Sequence, residues 1–366
     1  MIQSISIYNF KNLSGLGISS FSRVNLISGK NNVGKSALLE ALELHISNSG
    51  LFSILERRGE EYARHSARIG VDAQKRNHEA LSSLFTGRNG STDGSNSMSI
   101  NDGEHTFAAR FVRYLFQTEE TDDGTIRKRL VLSASDEANY TGEDVKVGLE
   151  ISRDRSKTVL PLDRSLYGFD LEARRADIAR CVYVKPNFNE NDYVSKFWDN
   201  IALTDKEQHV IKALQIVDSN IENLAFLESS AVRGRYPVVK IKGENLRLPL
   251  RSLGDGLNHI LSIILAVVNC ENGCVLIDEI DNGLHYSVQK QLWTAIFELA
   301  MTLNVQVFAT THSSDCISSF GKVLAIGDNV NVGRYLRLEC KGGEIKAVDY
   351  DASELGIIAS QNIEVR

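Results

Sequence analysis

Eight residues near the N-terminus have the types and the spacing that suit a chain of phosphates. Residues 29–36 read GKNNVGKS, which matches the pattern GxxxxGK followed by serine or threonine. The glycines let backbone N–H groups turn inward around phosphate oxygens, while Lys35 would reach the β- and γ-phosphates and the Ser36 hydroxyl would ligate Mg²⁺. The loop predicts a nucleotide site with contacts from Gly29, Asn31, Asn32, Gly34, Lys35, Ser36 and Ala37.

Two adjacent carboxylates follow a run of four apolar residues much later in the chain. The run 274–277 predicts a buried strand, and Asp278 and Glu279 stand at its carboxyl end. At that edge of a sheet Asp278 would hold Mg²⁺, commonly through a water, and Glu279 would polarise the attacking water. A solvated turn is the alternative, but four apolar residues rarely precede one.

A histidine ends the next apolar run, in residues 306–314, which read QVFATTHSS. A polar residue and His312 at the end of this buried strand would lie beside Asp278. His312 would then hydrogen-bond the γ-phosphate or the attacking water. A lone loop histidine is usually only exposed, so this interpretation depends on the two motifs before it.

The elements around these motifs predict an α/β fold. Strand 24–28, the glycine loop and a helix over 35–47 form the setting in which a phosphate loop works. Helices over 257–270 and 286–303 alternate with buried strands at 274–277 and 305–310, which indicates a parallel sheet covered on both faces.

The middle of the chain gives a weaker signal. We predict an ATPase core from 1–50 and 246–345, an inserted β-meander and helical arm over 51–245, and a tail over 346–366 that could dock a partner. Within the insertion, residues 86–102 are rich in Gly, Ser and Asn and predict a loop or a flexible turn. No heptad pattern persists, so no long coiled coil is expected.

Together the motifs resemble the ABC-type ATPases of the SMC, RecF and OLD-like class, and most closely the ATPase half of OLD-family proteins. VLIDEIDNGLHYS is similar to the Walker B and D-loop of that group, FATTHS to its switch-histidine strand, and ISIYNFKNL to its first strand. The resemblance implies an ATPase head with ATP and Mg²⁺ as cofactors, catalytic Glu279, His312 and Lys35, and Lys11 and Asn12 near the nucleotide.

The resemblance also implies a signature segment that caps the γ-phosphate bound by the other protomer of a homodimer. Residues 252–260 read SLGDGLNHI, and Ser252, Gly254 and Gly256 are the candidate contacts. Gly254 stands where serine is usual, and Asp255 either adds a negative charge near phosphate or caps the helix. His285 falls where the D-loop would cross the interface, where it senses the opposite site or merely packs. Gln117 is a weak candidate for the glutamine loop.

The composition limits the class of protein. The chain has 366 residues, 42% hydrophobic, and a net charge of −6, which argues against binding nucleic acid through overall charge but leaves a local basic surface open. Cys270 and Cys274 lack a second pair of ligands, so reduced cytosolic thiols are expected rather than a zinc site. No signal peptide is visible, and the apolar stretch 260–268 is too short for a bilayer. We expect a cytoplasmic protein without a membrane partner.

Two interpretations remain open for the biological process that ATP hydrolysis drives. The first is a regulatory subunit of a prokaryotic anti-phage defence (abortive infection) complex, controlling a separate effector such as a nuclease, because too few residues follow the core for a TOPRIM domain. The second is a RecF-like repair ATPase that clamps DNA, with the basic stretch 57–76 contributing, although interleaved acids also fit a solvated helix face. A transporter subunit fits poorly, because the gap between phosphate loop and signature segment is long, and a P-loop kinase fits less well still.

Overall fold

The computed structural model describes residues 1–57, 73–92, 96–121, 124–132, 145–163, 180–186, 191–228, 234–244, 246–350 and 354–355. The strands are β1 (Ile5–Phe10), β2 (Leu13–Ile18), β3 (Val24–Gly29), β4 (Ser97–Asn101), β5 (Thr106–Thr121), β6 (Gly124–Val131), β7 (Lys146–Arg153), β8 (Ser156–Pro161), β9 (Cys181–Val184), β10 (Ile221–Glu228), β11 (Arg235–Ile241), β12 (Arg247–Pro249), β13 (Cys274–Ile277), β14 (Gln306–Thr310), β15 (Gly333–Lys341) and β16 (Glu344–Tyr350). The helices are α1 (Lys35–Ile46), α2 (Ala73–Ser82), α3 (Asn191–Asp199), α4 (Asp205–Val217), α5 (Asp255–Asn269), α6 (Tyr286–Thr302), α7 (Ser314–Leu324) and α8 (Asn329–Val332).

A six-stranded central sheet has the order β16-β15-β3-β14-β13-β9. Every pair from β15 to β9 is parallel, and only β16 runs antiparallel, on β15. Strands β3, β13 and β14 are buried along their whole length, which explains their continuous apolar runs. The polar exceptions in β3 are satisfied: the Asn25 amide donates to Ser22 O at 2.7 Å, and Ser28 Oγ lies 2.6 Å from Tyr335 Oη.

Helices cover both faces of this sheet. Five of them, α3, α4, α5, α6 and α7, contribute to one hydrophobic core, in which Trp293 and Phe320 pack edge to face with ring centroids 4.8 Å apart. The apolar stretch of α5, residues 260–268, is entirely buried there, and the hydroxyl group of Ser262 within it donates to Asn258 O. Helix α1 lies on the other face, in a second core that it shares with an antiparallel sheet.

That antiparallel sheet has the order β2-β1-β4-β5-β7-β8, with β6 paired to β5. Its first strand, ISIYNF, alternates between buried and exposed residues because one face packs against α1 and the other faces solvent. A third, three-stranded sheet, β10-β11-β12, leads through a 3₁₀ turn (Leu250–Leu253) into α5.

The α/β fold class is confirmed. The predicted domain boundaries, however, do not separate the strands of one sheet from those of another. β1 and β2 belong to the antiparallel sheet with β4–β8, and β9, from within the predicted insertion, forms an edge of the central sheet. Residues 97–101 form a strand inside the stretch predicted as a loop. The short run CVYV of β9 carries no motif, so only its pairing with β13 reveals its place.

The predicted tail also begins inside the fold, because β16 reaches residue 350 and Leu355 is buried. Among the described residues the longest helix is α6, with 17 residues, so no long coiled coil is present there. None of the described helices is both long and apolar enough to cross a bilayer.

Candidate active site

The phosphate loop between β3 and α1 depends on backbone conformations that favour glycine. Gly29 has φ 141° and Gly34 has φ 99°, and Asn32 between them has φ 63°. A Cβ atom at position 29 would lie 2.5 Å from Leu338 O and 2.8 Å from Val33 Cγ1, so the loop passes too close to β15 for any side chain. Helix α1 begins after Gly34 without a side-chain cap, which leaves its first N–H groups available to an anion.

Lys35, the first residue of α1, folds back over the loop. Its Nζ donates to Gly29 O at 2.7 Å and to Lys30 O at 3.0 Å. Burial lowers the pKa of the Lys35 ammonium, and the nearby carboxylates of Asp278, Glu279 and Asp281 oppose that shift. A desolvated ammonium therefore lies within the field of the acids that follow β13.

Asp278 is held by hydroxyl groups from the two strands that flank β13. Its Oδ1 accepts from Thr310 Oγ1 at 2.6 Å, and its Oδ2 accepts from Tyr183 Oη at 3.2 Å. The side chain is buried, and its backbone N–H donates to Val184 O at 2.9 Å. Because both carboxylate oxygens accept from neutral donors, the negative charge of Asp278 is oriented but not neutralised.

Glu279 has an unusual backbone conformation, with φ 50°. Its N–H donates to Thr310 Oγ1 at 2.9 Å, so one threonine hydroxyl fixes both acids, donating to the first and accepting from the second. Left-handed φ values at residues other than glycine are costly and cluster at active sites. The turn directs the partly exposed Glu279 side chain into the cleft above the phosphate loop.

His312 follows β14 and is exposed at the same cleft. The residue before it, Thr311, is anchored: its hydroxyl donates to Asp281 Oδ1 at 2.5 Å and accepts from Ser313 N–H at 3.0 Å. The loop that carries His312 is thereby tied to the turn that carries Glu279.

The turn between β1 and β2 forms the opposite wall of the cleft. Asn12 Nδ2 donates to Asn32 O at 3.1 Å, and Lys11 forms an ion pair with Glu40 of α1. The Lys11 N–H donates to Leu84 O at 2.8 Å, which draws residues 83–88 to the cleft.

Eleven of the sequence-predicted residues line this one cleft of about 1110 Å³: Lys11, Asn12, Asn31, Asn32, Gly34, Lys35, Ser36, Ala37, Asp278, Glu279 and His312. Gly29 contributes through the carbonyl that binds Lys35. Sequence reasoning missed the remaining lining residues, Glu40, Ser83, Phe85, Gly87 and Arg88, and also Tyr183 behind Asp278. Thr310 is the polar residue expected at the end of β14.

The signature segment, residues 252–260, lies apart from this cleft: none of its described residues is among the lining. Ser252 is exposed, and its hydroxyl donates to Pro249 O at 2.7 Å. Gly254, with φ 122°, precedes α5 without a side-chain cap, and a Cβ added to it would have no atom within 4 Å. Gly256 packs against the loop after Glu279, since a Cβ there would lie 3.2 Å from Leu284 Cδ2.

The other two candidates have structural surroundings. His285 caps α6, accepting from Ser287 N–H at 3.4 Å, with its Nδ1 2.8 Å from Ser287 Oγ. Gln117 lies on β5, in the antiparallel sheet, and its side chain, like that of Asp255, falls outside the described residues.

The donors at the cleft fit a magnesium ion. Mg²⁺ prefers hard oxygen ligands, and the Ser36 hydroxyl and the Asp278 carboxylate both line the cleft. In the described part of the chain no ion pair engages Asp278, so its charge is available to a cation.

Comparisons with known proteins identify the family of this chain. A family model described as AAA ATPase domain matches residues 1–146 and 183–317. A Helicobacter pylori protein named ATP/GTP phosphatase is 27% identical over 348 residues, covering 88% of each chain. An uncharacterised protein of Methanocaldococcus jannaschii is 43% identical over 54 residues, 15% of this chain and 25% of that one.

Solved SMC head domains are also similar to this chain. The head from Thermotoga maritima is 10% identical with a TM-score of 0.45, covering 95% of this chain and 98% of that one. A head derived from Pyrococcus furiosus, bound to the C-terminal domain of ScpA, is 10% identical with a TM-score of 0.48, covering 99% of both.

Proposed function

This chain belongs to the AAA ATPase domain family and hydrolyses ATP, and we propose that it does so in the cleft above the phosphate loop. One observation carries the proposal. Lys35 and Ser36 from α1, Asp278 and Glu279 after β13, and His312 after β14 line the same cleft, although most of the chain separates them in sequence.

In the proposed reaction water attacks the γ-phosphorus, the bond from that phosphorus to the β-phosphate oxygen breaks, and ADP, inorganic phosphate and a proton are released. Glu279 orients the water, Lys35 lies against the β- and γ-phosphates, and His312 donates a hydrogen bond to the phosphate or to the water. Ser36 and Asp278 would hold Mg²⁺, which would supply positive charge to the phosphate oxygens. Thr310 supports this arrangement, because its hydroxyl bonds both Asp278 and the backbone of Glu279.

A homodimer would complete the site. Ser252 and Gly254 of the signature segment are exposed, the N-terminus of α5 has no side-chain cap, and the segment does not line its own cleft. Such a helix terminus suits an anion supplied by another molecule. We therefore propose that Ser252, Gly254 and Gly256 of one protomer cover the γ-phosphate bound by its partner.

The test of this mechanism is Glu279→Gln. The variant should bind ATP, hydrolyse it at least about 100-fold more slowly, and persist as a dimer in ATP. Glutamine keeps the size of the side chain but removes the charge, and Glu298→Gln, on the exposed side of α6, is a matched control. Unchanged turnover in Glu279→Gln would remove Glu279 from the role.

For the biological role we propose a regulatory subunit of an anti-phage defence complex that controls a separate effector. The support is the resemblance to the ATPase half of OLD-family proteins. The proposed docking surface is the tail predicted over 346–366, whose first residues lie in β16, where Lys346 and Asp349 are exposed. The cysteines Cys181, Cys270, Cys274, Cys316 and Cys340 are free thiols, which suits a reducing cytoplasm.

The DNA-repair alternative receives less support. Arg57, which opens the proposed basic stretch, is mostly buried and engaged with Glu43, and residues 58–72 lie outside the described part of the chain. Purification of Glu279→Gln in ATP, expressed with its neighbouring genes, separates the two roles. Co-purification of a second polypeptide supports the defence complex, whereas a bare dimer that binds DNA supports repair.

A further inference from the structure

We propose that Tyr183 is a positioning residue that sets the orientation of the Asp278 carboxylate for the metal. Tyr183 lies on β9, the strand next to β13, and its hydroxyl donates to Asp278 Oδ2. The inference rests on the proposed function, because it assigns Tyr183 a part in the same Mg²⁺ and ATP site.

A single donor would leave the carboxylate of Asp278 poorly fixed. The bond from Thr310 holds one oxygen, but the group can still rotate about that contact. A second donor on the other oxygen fixes the plane of the carboxylate, and the two donors come from strands on opposite sides of β13. Metal ligands are commonly oriented by such outer contacts.

Tyr183 is itself held by a cation from another element. The guanidinium carbon of Arg57 lies 4.2 Å from the centroid of the Tyr183 ring. Arg57 makes two hydrogen bonds to the carboxylate of Glu43 on α1, one of them 2.8 Å long. The side chains of both members of this ion pair are largely buried, with exposed fractions of 16% and 7%.

The order of charged and neutral side chains from Glu43 through Arg57 and Tyr183 to Asp278 matters for metal binding. Glu43 neutralises Arg57, and the neutral phenol of Tyr183 separates Arg57 from Asp278. A guanidinium in direct contact with Asp278 would compete with a divalent cation for the carboxylate. The row Glu43–Arg57–Tyr183 therefore connects α1, the helix that carries Ser36, to Asp278 without cancelling its charge.

The experiment measures metal affinity as well as activity. Mn²⁺ is titrated into protein with a non-hydrolysable ATP analogue, and free Mn²⁺ is followed by electron paramagnetic resonance. We expect Tyr183→Phe to weaken Mn²⁺ binding about tenfold while affinity for the analogue without metal is unchanged. Tyr335→Phe is the control, since it also removes a buried hydroxyl contact, but one made to Ser28 Oγ at 2.6 Å rather than to Asp278.

A second variant tests the support for Tyr183. Arg57→Lys keeps the charge but loses the two-pronged contact with Glu43, so we expect Mn²⁺ affinity to fall about threefold. Equal Mn²⁺ affinity in wild type and Tyr183→Phe would overturn the inference, as would an equal loss in Tyr335→Phe. Wild-type protein that binds Mn²⁺ no better with the analogue than without it would instead overturn the proposed metal site, and the inference with it.

Discussion

The nucleotide cleft and the signature segment present opposite surroundings to a phosphate. At the cleft, Asp278, Glu279 and Thr310 are joined by hydrogen bonds within the chain, and Gly29 is pressed against β15. At the signature segment, Ser252 is exposed and no atom lies within 4 Å of a Cβ placed on Gly254.

This difference separates what the chain can prepare alone from what needs a second chain. The cleft residues are oriented before any ligand binds, so their geometry costs little to organise during the reaction. At the signature segment, a side chain on Gly254 would gain contacts only when another surface arrives. If that surface is a partner's nucleotide, a second chain with an intact signature segment can complete the site of a chain whose own signature segment is altered. No second chain can restore an altered cleft.

The largest effect is expected when one chain carries a change in the nucleotide cleft and another chain carries a change in the signature segment. Lys35→Ala should reduce turnover by about 10³-fold through loss of phosphate contacts. Gly254→Asp should also be nearly inactive, because a carboxylate would face the partner's γ-phosphate. An equal mixture of the two should recover about one quarter of wild-type turnover, because half of the dimers are mixed and each keeps one intact site.

The measurement is phosphate release after the two inactive variants are mixed and allowed to exchange subunits. Lys35→Ala mixed with Glu279→Gln is the control, because both changes lie in the cleft. Every site of the proposed dimer would then contain an altered cleft, so no intact site can form. Equal recovery in both mixtures, or none in either, would contradict the division between the regions.

Gly29 and Gly254 should differ in how much a change to alanine lowers the free energy of unfolding. Both have φ values that disfavour side chains, so each change to alanine costs about 1–3 kcal/mol of unfolding free energy. Gly29→Ala should cost at least about 1 kcal/mol more, because its Cβ meets Leu338 O at 2.5 Å, whereas that of Gly254 meets open space. Urea unfolding measures both, and equal losses would mean that the loop relaxes away from β15.

Thr310→Val should reduce turnover by about 10- to 100-fold with little change in shape. The variant removes the donor to Asp278 Oδ1 and the acceptor of the Glu279 N–H, so higher Mg²⁺ should restore only part of the rate. Steady-state rates over a Mg²⁺ titration measure this. Thr294→Val, on α6, is the control, and a wild-type rate in Thr310→Val would show that the cleft does not depend on this hydroxyl.

The smallest effect is expected at His285. His285→Ala removes the cap of α6 and should cost about 1 kcal/mol of unfolding free energy, with turnover unchanged. Thermal unfolding and phosphate release measure the two quantities. A loss of turnover without a loss of stability would instead place His285 among the residues that act at the dimer interface.

The central part of the fold can be predicted from the sequence because each of its elements repeats a strong local pattern. The strand predicted at 274–277 has the observed bounds of β13, and the predicted helix 286–303 differs from α6 by one residue. Continuous apolar runs before a polar residue are sufficient for such predictions.

The parts that could not be predicted depend on pairing between distant segments. CVYV at 181–184 has no motif beside it, so nothing in the sequence indicates that Tyr183 lies behind Asp278. Residues 83–88 are joined to the turn after β1 by the Lys11 N–H bond to Leu84 O and by the bridge between Phe10 and Phe85, contacts that leave no local pattern. The same holds for β1, whose place in the antiparallel sheet depends on β4.

The position of β3 in the central sheet has a consequence for synthesis. Both of its neighbours, β14 and β15, come from the last third of the chain. The strand that leads into the phosphate loop therefore has no neighbour in the central sheet until the ribosome has released β14, residues 306–310, and long-range pairing of this kind is slow. A polypeptide that stops before residue 306 lacks both strands that flank β3 in the finished sheet.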